Sequence, residues 1–514
     1  GLHPFPSRDE SNFDAFGVGH SSTSIGAALG MSVANPENRH ISVIGDGAIT
    51  AGMAYEAMAH AGSIDKDLLV ILNDNNMSIS NNTGGVANYL AKIWSSKWYI
   101  QVRESGKSVL RMIPSAKRFA KQTESSIKGF LSPGALFEEL GFHYIGPMDG
   151  HNLKDLVRTL KNINNLSGPI FLHLVTKKGK GFIPAEKDPI TFHALSNSKP
   201  PSNENKGPKY QEVFGEWLCE KAKSGDDDLV AITPAMSEGS GMTEFAERFP
   251  DQFYDVAIAE QHSMTFAAGL ACEGKKPILA IYSTFLQRAY DQLIHDVAIQ
   301  KLDVLLAIDR AGFVGEDGAT HAGMFDLTYL RCVPNLIVMA PSNENECWQM
   351  LNFGYSHKGP VAIRYPRGNA PGENINKAGD EIELGKANVL RRKDSSGIAI
   401  LSFGSLFNIS KEVASELDTT LIDMRFVKPL DVELLKELGK THKLFVTVEE
   451  NVIAGGAGSG VNEFVNANYL NVGVLNFGIS DEFPVVGSPD DQKEASKLTK
   501  KELLAKINKK LESL

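Results

Sequence analysis

The sequence predicts an α/β protein of three doubly wound domains with mainly parallel sheets, and three observations carry that reading. Runs rich in Val, Ile and Leu, among them 41–44, 68–72, 229–233, 277–282, 304–309 and 398–403, alternate with stretches of helical spacing, the pattern of strands covered on both faces. Two segments rich in Pro, Asn, Ser and Gly, 196–209 and 369–380, interrupt the pattern as linkers and leave domains of 1–195, 210–368 and 381–514, each long enough for its own core. Polar residues stand where several apolar runs end, and the carboxyl ends of parallel strands are where open α/β sheets bind ligands.

Composition narrows the function. Hydrophobic residues make up 42% of the 514 and charged residues 22%, the balance of an ordinary globular protein. A net charge of −10 with no basic block argues against nucleic acid or an anionic membrane as partner. Cys219, Cys272, Cys332 and Cys347 lack CxxC spacing, so neither a zinc site nor a disulfide framework is expected, and a reducing cytoplasm fits. No apolar run reaches membrane-spanning length and no signal peptide is visible. The chain begins with Gly1 rather than Met, so a missing upstream portion is expected, and a plastid-targeting segment could have gone with it.

In the first domain, Gly19-His20-Ser21-Ser22-Thr23 runs into a small-residue helix over 24–33. Taken alone, these residues read as helix-capping chemistry; beside the metal-binding unit that follows, they become candidate contacts to a cofactor. The stretch 41–77 then gives a strand ending in Gly45-Asp46-Gly47, a helix, and a strand ending in Asn73-Asp74-Asn75-Asn76. Glycines let the backbone approach a phosphate, and the amides of a following helix favour anions. Asp46 is placed to meet a cation. A hard ion such as Mg²⁺ takes most of its oxygens from phosphates and water, so one carboxylate and the Asn75 amide oxygen suffice. An isolated GDG is an ordinary tight turn; with NDNNM one crossover later it matches the diphosphate and Mg²⁺ motif of thiamin diphosphate enzymes. Residues 81–130, rich in Lys, Ser and Asn, read as helical excursions with a mobile connection and carry no chemistry. A helix over 135–140, strands over 142–145 and 170–176, and a helix repeating Leu153, Leu156, Val157 and Leu160 complete the domain, followed by Lys177-Lys178-Gly179-Lys180-Gly181.

The second domain reads as helix 210–221, strands 229–233 and 254–259, helix 261–272, strand 277–282, helix 284–299 and strand 304–309. Glu260 there ends a strand and opens a helix, where a lone carboxylate is ordinarily a charge favoured by the helix dipole. The third domain has strands over 398–403, 420–424, 443–448 and 472–477. Its Gly455-Gly456-Ala457-Gly458-Ser459-Gly460 is not GxGxxG and reads as a turn that lets helix and sheet pack closely. Leu503, Leu504, Ile507 and Leu511 share one face of a terminal helix that docks on the domain.

Taken together, GDGAITAG, NDNNM, EKDPITFHA, DVAIAEQH, YSTFLQRAYDQ, AIDRAG, DGATHAG and YPRGNA resemble the 1-deoxy-D-xylulose-5-phosphate synthases of the transketolase superfamily, over essentially the whole chain. The resemblance implies a transketolase-like fold. It also implies a homodimer that uses thiamin diphosphate and Mg²⁺ to condense pyruvate with D-glyceraldehyde 3-phosphate into 1-deoxy-D-xylulose 5-phosphate and CO2, feeding isoprenoid, thiamin and pyridoxal biosynthesis. By motif, Asp46, Asn75 and the carbonyl of Met77 hold Mg²⁺, and Gly19, His20, Ser21, Gly47, Ala48 and Lys178 surround the diphosphate. Glu260 meets the pyrimidine ring and promotes its imino tautomer, with Phe285 stacked nearby. His193 and His321 lie near the reacting carbons as donors and proton shuttles, a task that suits a side chain with a pKa near working pH. Arg310 and Arg367, with Tyr282 and Arg288, clamp the acceptor's phosphate, for which the planar guanidinium offers two aligned donors. Asp317 orients acceptor hydroxyls or His321. Family members carry further residues, histidines of the site among them, before GLHPFP. Two other readings stand beside this one: transketolase-type ketol transfer, told by xylulose 5-phosphate as donor, and a catalytically incompetent fragment acting only as a binding chain, told by failure to bind thiamin diphosphate.

Overall fold

The computed structural model describes residues 3–75, 89, 134–189, 192–193, 207–379 and 381–513. Met77, all of 81–130 except Tyr89, and most of the linker over 196–209 lie outside the described residues. Two compact units emerge, His20–Lys199 with Val256–Ala259, and Gly1–Gly19 with Pro200–Asp255 and Glu260–Leu514.

The smaller unit holds a parallel sheet of β1 (His40–Gly45), β2 (Leu68–Asp74), β3 (His143–Asp149) and β4 (Pro169–Val175) in the order β1-β2-β4-β3. β4 is buried along its whole length and β2 along most of it, as continuous apolar runs require of central parallel strands. Gly45 is in register with Asn73, so the chain leaves both strands at the same end and delivers Asp46 and Asn75 there. A buried polar relay crosses the sheet: Asp74 Oδ2 lies 2.9 Å from His173 Nε2, and His173 Nδ1 lies 2.8 Å from the Tyr144 hydroxyl.

In the larger unit the strands are β5 (Leu229–Thr233), β6 (Phe253–Asp255), β7 (Lys276–Tyr282), β8 (Leu305–Asp309), β9 (Ile337–Met339), β10 (Val361–Arg364), β11 (Asn388–Arg391), β12 (Ile398–Phe403), β13 (Thr420–Asp423), β14 (Phe426–Lys428), β15 (Leu444–Val452) and β16 (Gly473–Ile479). They form two sheets, β14-β9-β10-β8-β7-β5-β6 and β11-β13-β12-β15-β16. All pairs are parallel except β14 with β9 and β11 with β13. The expected α/β class holds, with a sheet for each of three domains. The second and third sheets share one unit because β14, from the third stretch of chain, adds an edge to the second sheet. Polar contacts reinforce the join: Arg425 reaches both Glu346 oxygens at 2.6 and 2.7 Å, and Arg364, on β10, donates to the carbonyl of Glu450, on β15, at 3.1 Å.

Three local departures bear on the site. The strand expected over 254–259 stops at Asp255, because Ala257 takes a φ of +61° and its carbonyl accepts from Ala259 N in a tight turn. The helix expected over 284–299 breaks into short turns ending in a wide one at Leu293–Ala298, a kind of irregularity common beside functional groups. Thr23 makes no capping bond to the helix Ser24–Ala34. The glycine turn at 455–460 behaves as expected: a Cβ on Gly458 would fall 2.4 Å from Thr447 Oγ1. Leu503 and Ile507 of the helix Lys500–Leu511 are buried in the third core. Among the described residues no helix is long and apolar enough to cross a membrane.

Candidate functional site

In the smaller unit the carboxyl ends of β1 and β2 gather one cluster. Asp46 is buried. After it Gly47 opens the turn Ala48–Thr50, closed by Thr50 Oγ1 donating to the Gly47 carbonyl at 2.7 Å. Ser22, buried at a φ of +79°, donates to the Ala48 carbonyl at 2.7 Å, and Ser21 Oγ lies 3.1 Å from Ser22 Oγ. The segment read as helix-capping chemistry is therefore tied to the turn after Asp46 instead. Asn75 follows β2 with its side-chain oxygen buried and, among the described residues, without a hydrogen-bond partner. An orphaned buried acceptor costs about 1–3 kcal/mol.

Lys178 follows β4. Burial lowers its ammonium pKa while Asp46 acts in the opposite direction. Its Nζ donates to His193 Nδ1 at 2.7 Å, and burial followed by the Lys178 charge lowers the imidazole pKa. Among the described residues no group of three or more His, Cys, Asp or Glu could hold a metal ion. A buried carboxylate, an unpartnered amide oxygen and a nearby ammonium are instead the donor set for a hard cation that brings phosphate oxygens with it.

A second cluster lies within the larger unit. Glu260 opens the helix Glu260–Cys272 and is 4% exposed. Burial raises its carboxyl pKa, and Arg288, 3.4 Å away, pulls it down. Arg288 thus stands with Glu260. Tyr282 ends β7 and stacks on Phe285 at 5.6 Å, and Phe285 meets the edge of His321 at 5.5 Å. Phe5 stacks on the same imidazole at 4.7 Å. Thr320 Oγ1 lies 2.9 Å from His321 Nδ1, and a Cβ on Gly19 would fall 2.4 Å from Thr320 Cβ, so that approach requires glycine.

After β8, Arg310 takes a φ of +57°, its N–H donating to Asp309 Oδ1 at 2.6 Å, and its guanidinium lies 4.1 Å from the Tyr282 ring centroid. Asp309 is fully buried and its Oδ2 has no hydrogen-bond partner among the described residues; burial pushes its pKa up to about 7 against Arg310 and Arg367. Arg367, after β10, donates to Asp317 Oδ2 at 2.8 Å and to the Val314 carbonyl at 2.6 Å, while Arg310 Nη1 lies 4.0 Å from the same carboxylate oxygen. Two guanidiniums facing one carboxylate leave net positive charge, which suits a dianion.

The sequence reading missed Phe5 and Asp309, and it placed Ser22 among possible cofactor contacts without its bond to the Ala48 carbonyl. Asp309 carried a signal, since it stands in AIDRAG at a strand's carboxyl end, whereas Phe5 and the Ser22 bond become visible only through contacts distant in sequence.

Residues 1–176 match the family model of 1-deoxy-D-xylulose-5-phosphate synthase, 206–373 that of the transketolase pyrimidine binding domain, and 385–503 that of the transketolase C-terminal domain. The chain is 56% identical to the 1-deoxy-D-xylulose-5-phosphate synthase of Hahella chejuensis over 524 aligned residues, 100% of this chain and 81% of that protein. With the protein of that name from Pectobacterium atrosepticum it is 58% identical over 502, covering 96% and 80%. Among solved structures, a split gene transketolase, an inactive β4 tetramer, has a TM-score of 0.53 at 29% identity, covering 59% of this chain and 98% of its own. A Campylobacter jejuni transketolase reaches 0.51 at 16% identity over 96% and 82%, a likeness of fold alone.

Proposed function

The chain belongs to the 1-deoxy-D-xylulose-5-phosphate synthase family, and from that premise we propose which of its residues carry the family's reaction. The reaction joins pyruvate to D-glyceraldehyde 3-phosphate: the bond to pyruvate's carboxylate breaks, CO2 leaves, and the former carbonyl carbon bonds to the aldehyde carbon, giving 1-deoxy-D-xylulose 5-phosphate. Thiamin diphosphate, anchored through Mg²⁺, supplies the electron sink that this carbon needs.

Asp46 and the Asn75 amide oxygen would hold the cation, with the carbonyl of Met77, which lies outside the described residues. The observation that carries this assignment is the buried, unpartnered Asn75 Oδ1 at the strand end beside Asp46. Gly19, His20, Ser21, Gly47, Ala48 and Lys178 would surround the diphosphate, Lys178 by its charge. Glu260 would share a proton with the pyrimidine nitrogen, since burial favours its protonated form and Arg288 limits how far. Phe285 would lie against that ring.

Because the Lys178 ammonium can only donate, His193 Nδ1 accepts from it, and the neutral imidazole carries its proton on Nε2. That N–H can donate to a substrate oxygen. His321, held between Phe5 and Thr320, would move the proton at the aldehyde oxygen. Arg310 and Arg367 would bind the acceptor's phosphate, with Tyr282 behind Arg310 and Asp317 spacing the two guanidiniums. Arg288 is assigned to Glu260 rather than to that clamp.

The test is CO2 release from carboxyl-labelled pyruvate with thiamin diphosphate and Mg²⁺, each component omitted in turn. Release that depends on both, and is accelerated by glyceraldehyde 3-phosphate, is the expected result. Turnover of xylulose 5-phosphate with none of pyruvate would replace this reading by ketol transfer. We further propose a cytoplasmic homodimer with domains over 1–195, 210–368 and 381–514. Four unpaired thiols fit a reducing compartment, and sedimentation at the 55.8 kDa of one chain would overturn the dimer.

A further inference from the structure

The loop after β8 carries Asp317 and His321, yet much of what fixes it comes from the C-terminal domain. Its ends are bridged, Gly312 N donating to the Gly323 carbonyl at 2.6 Å and Gly323 N to the Gly312 carbonyl at 2.8 Å. Phe313, Ala322 and Met324 are buried in the core that also holds Ile400, Val446 and Leu503. Phe313 N donates to Glu450 Oε1, on β15, at 2.7 Å.

Further along the loop, one side chain of the C-terminal domain pairs with the backbone. Gln492, fully buried in the short helix Pro489–Ala495, accepts from Gly315 N at 2.8 Å and donates through Nε2 to the carbonyls of Gly315 at 3.0 Å and Val485 at 2.7 Å. Its amide therefore pairs with both backbone groups of Gly315, as a neighbouring strand would. The fit is close on either side: Gly315 has a φ of +75° and a Cβ there would fall 3.0 Å from Pro489 Cδ, while one on Gly318 would fall 2.8 Å from Val486 Cγ2. The segment 485–492 is thus a template for the backbone that leads into Asp317.

We propose that Gln492 is a positioning residue for acceptor binding. By fixing Gly315 it sets where Asp317 meets Arg367 and Arg310, and so how far apart the two guanidiniums stand when the phosphorylated aldehyde arrives. This rests on the reading of Arg310 and Arg367 as the phosphate clamp. Losing the Gln492 amide leaves the Gly315 N–H, the Gly315 carbonyl and the Val485 carbonyl without their buried partner. Buried backbone groups left without partners are unfavourable enough to let other loop conformations compete with the native one. Apparent affinity falls in proportion to the fraction of loop left in the competent form, and a competent fraction of about one tenth means about a tenfold weaker acceptor.

Steady-state kinetics of Gln492→Ala, Gln492→Met and Arg367→Ala, each checked by thermal melt, test the proposal. Gln492→Ala is expected to raise the acceptor KM about tenfold, with pyruvate KM within about twofold and kcat changed less than the acceptor KM. Gln492→Met, close in volume but without the hydrogen bonds, should do the same, and it carries the test alone should the alanine variant not fold. An unchanged acceptor KM in the Gln492 variants, while Arg367→Ala raises it, overturns the inference and leaves the clamp standing. An unchanged acceptor KM in Arg367→Ala instead removes the clamp reading itself, and the inference with it. Gln492 variants that alter both KM values and kcat together would show a merely structural residue and overturn the proposal as well.

Discussion

Replacing Asp309 by asparagine should remove a pH-dependent penalty that the parent protein carries through neutrality. The carboxyl ends β8 fully buried, one oxygen accepting from Arg310 N at 2.6 Å and the other, among the described residues, without a hydrogen-bond partner. Burial lifts its pKa from 3.8 to about 7. A group whose pKa is higher folded than unfolded stabilises the fold fully below the unfolded value, and that stabilisation is lost as pH rises through the folded one. At about 1.4 kcal/mol for each tenfold, the full loss is roughly 4 kcal/mol, of which roughly 2–3 kcal/mol falls between pH 5 and 8. Asparagine keeps an oxygen for Arg310 N and stays neutral throughout. Thermal melts of parent and variant at pH 5, 6, 7 and 8 should therefore diverge, the variant gaining on the parent by about 5 °C toward pH 8. Asp423 and Glu449, whose pKa values burial also raises to about 7, are common to both proteins and cancel in the comparison. Ionised Asp309 would also oppose the charges of Arg310 and Arg367, so the parent's acceptor KM should climb with pH more steeply than the variant's. Melting curves that fall in parallel from pH 5 to 8 would refute the argument.

Three other perturbations address the remaining assignments. Asn75→Leu replaces the orphaned oxygen by an apolar group, so calorimetry should show affinity for Mg²⁺ and thiamin diphosphate falling about a hundredfold or more while the melting temperature does not drop. A lowered melting temperature with unchanged affinity would mean the amide serves packing alone. In Glu260→Gln the buried carboxyl becomes a side chain that cannot give up a proton, and exchange of the bound cofactor's ring proton, followed by NMR in D2O, should slow by about 10²–10⁴. Lys178→Met takes away one of the two causes that depress the His193 pKa, so the imidazole should titrate at higher pH by NMR, and an unmoved titration would contradict the contact at 2.7 Å.

Elements with a strong local signal were legible in the sequence. The strands over 229–233 and 398–403 are found with those bounds, because apolar runs buried on both faces leave little choice of period. Asp46 and Asn75 could be placed at neighbouring strand ends from spacing alone, since one parallel crossover fixes that relation. What stayed hidden depended on contacts far apart in the chain. Nothing near Ser22 announces that its hydroxyl serves the Ala48 carbonyl, and nothing near Gln492 announces Gly315. β14 is a short strand whose pairing with β9 is decided by how the second and third sheets meet, not by its own residues. The contact of Arg288 with Glu260 was hidden for a similar reason: the turns after β7 break helical spacing and bring its guanidinium to within 3.4 Å of that carboxyl.

The glycine-rich turn of the third domain shows why a domain that resembles a nucleotide-binding one need not bind a nucleotide. The N-terminus of the helix Ala457–Ala467 offers backbone amides, the usual attraction for a phosphate. Here Glu449 on β15 already fills it, its two carboxylate oxygens accepting from Ala457 N at 2.7 Å and Gly458 N at 2.8 Å. A phosphate would have to displace a carboxyl that is fully buried and has no water to move into. The neighbouring Glu450 reaches instead to Phe313 N, in the loop that carries Asp317 and His321. Consecutive residues on one strand thus close the domain's own anion site and hold a loop of the adjoining sheet. On that argument the third domain contributes by shaping Asp317's surroundings rather than by binding a ligand at its glycine turn.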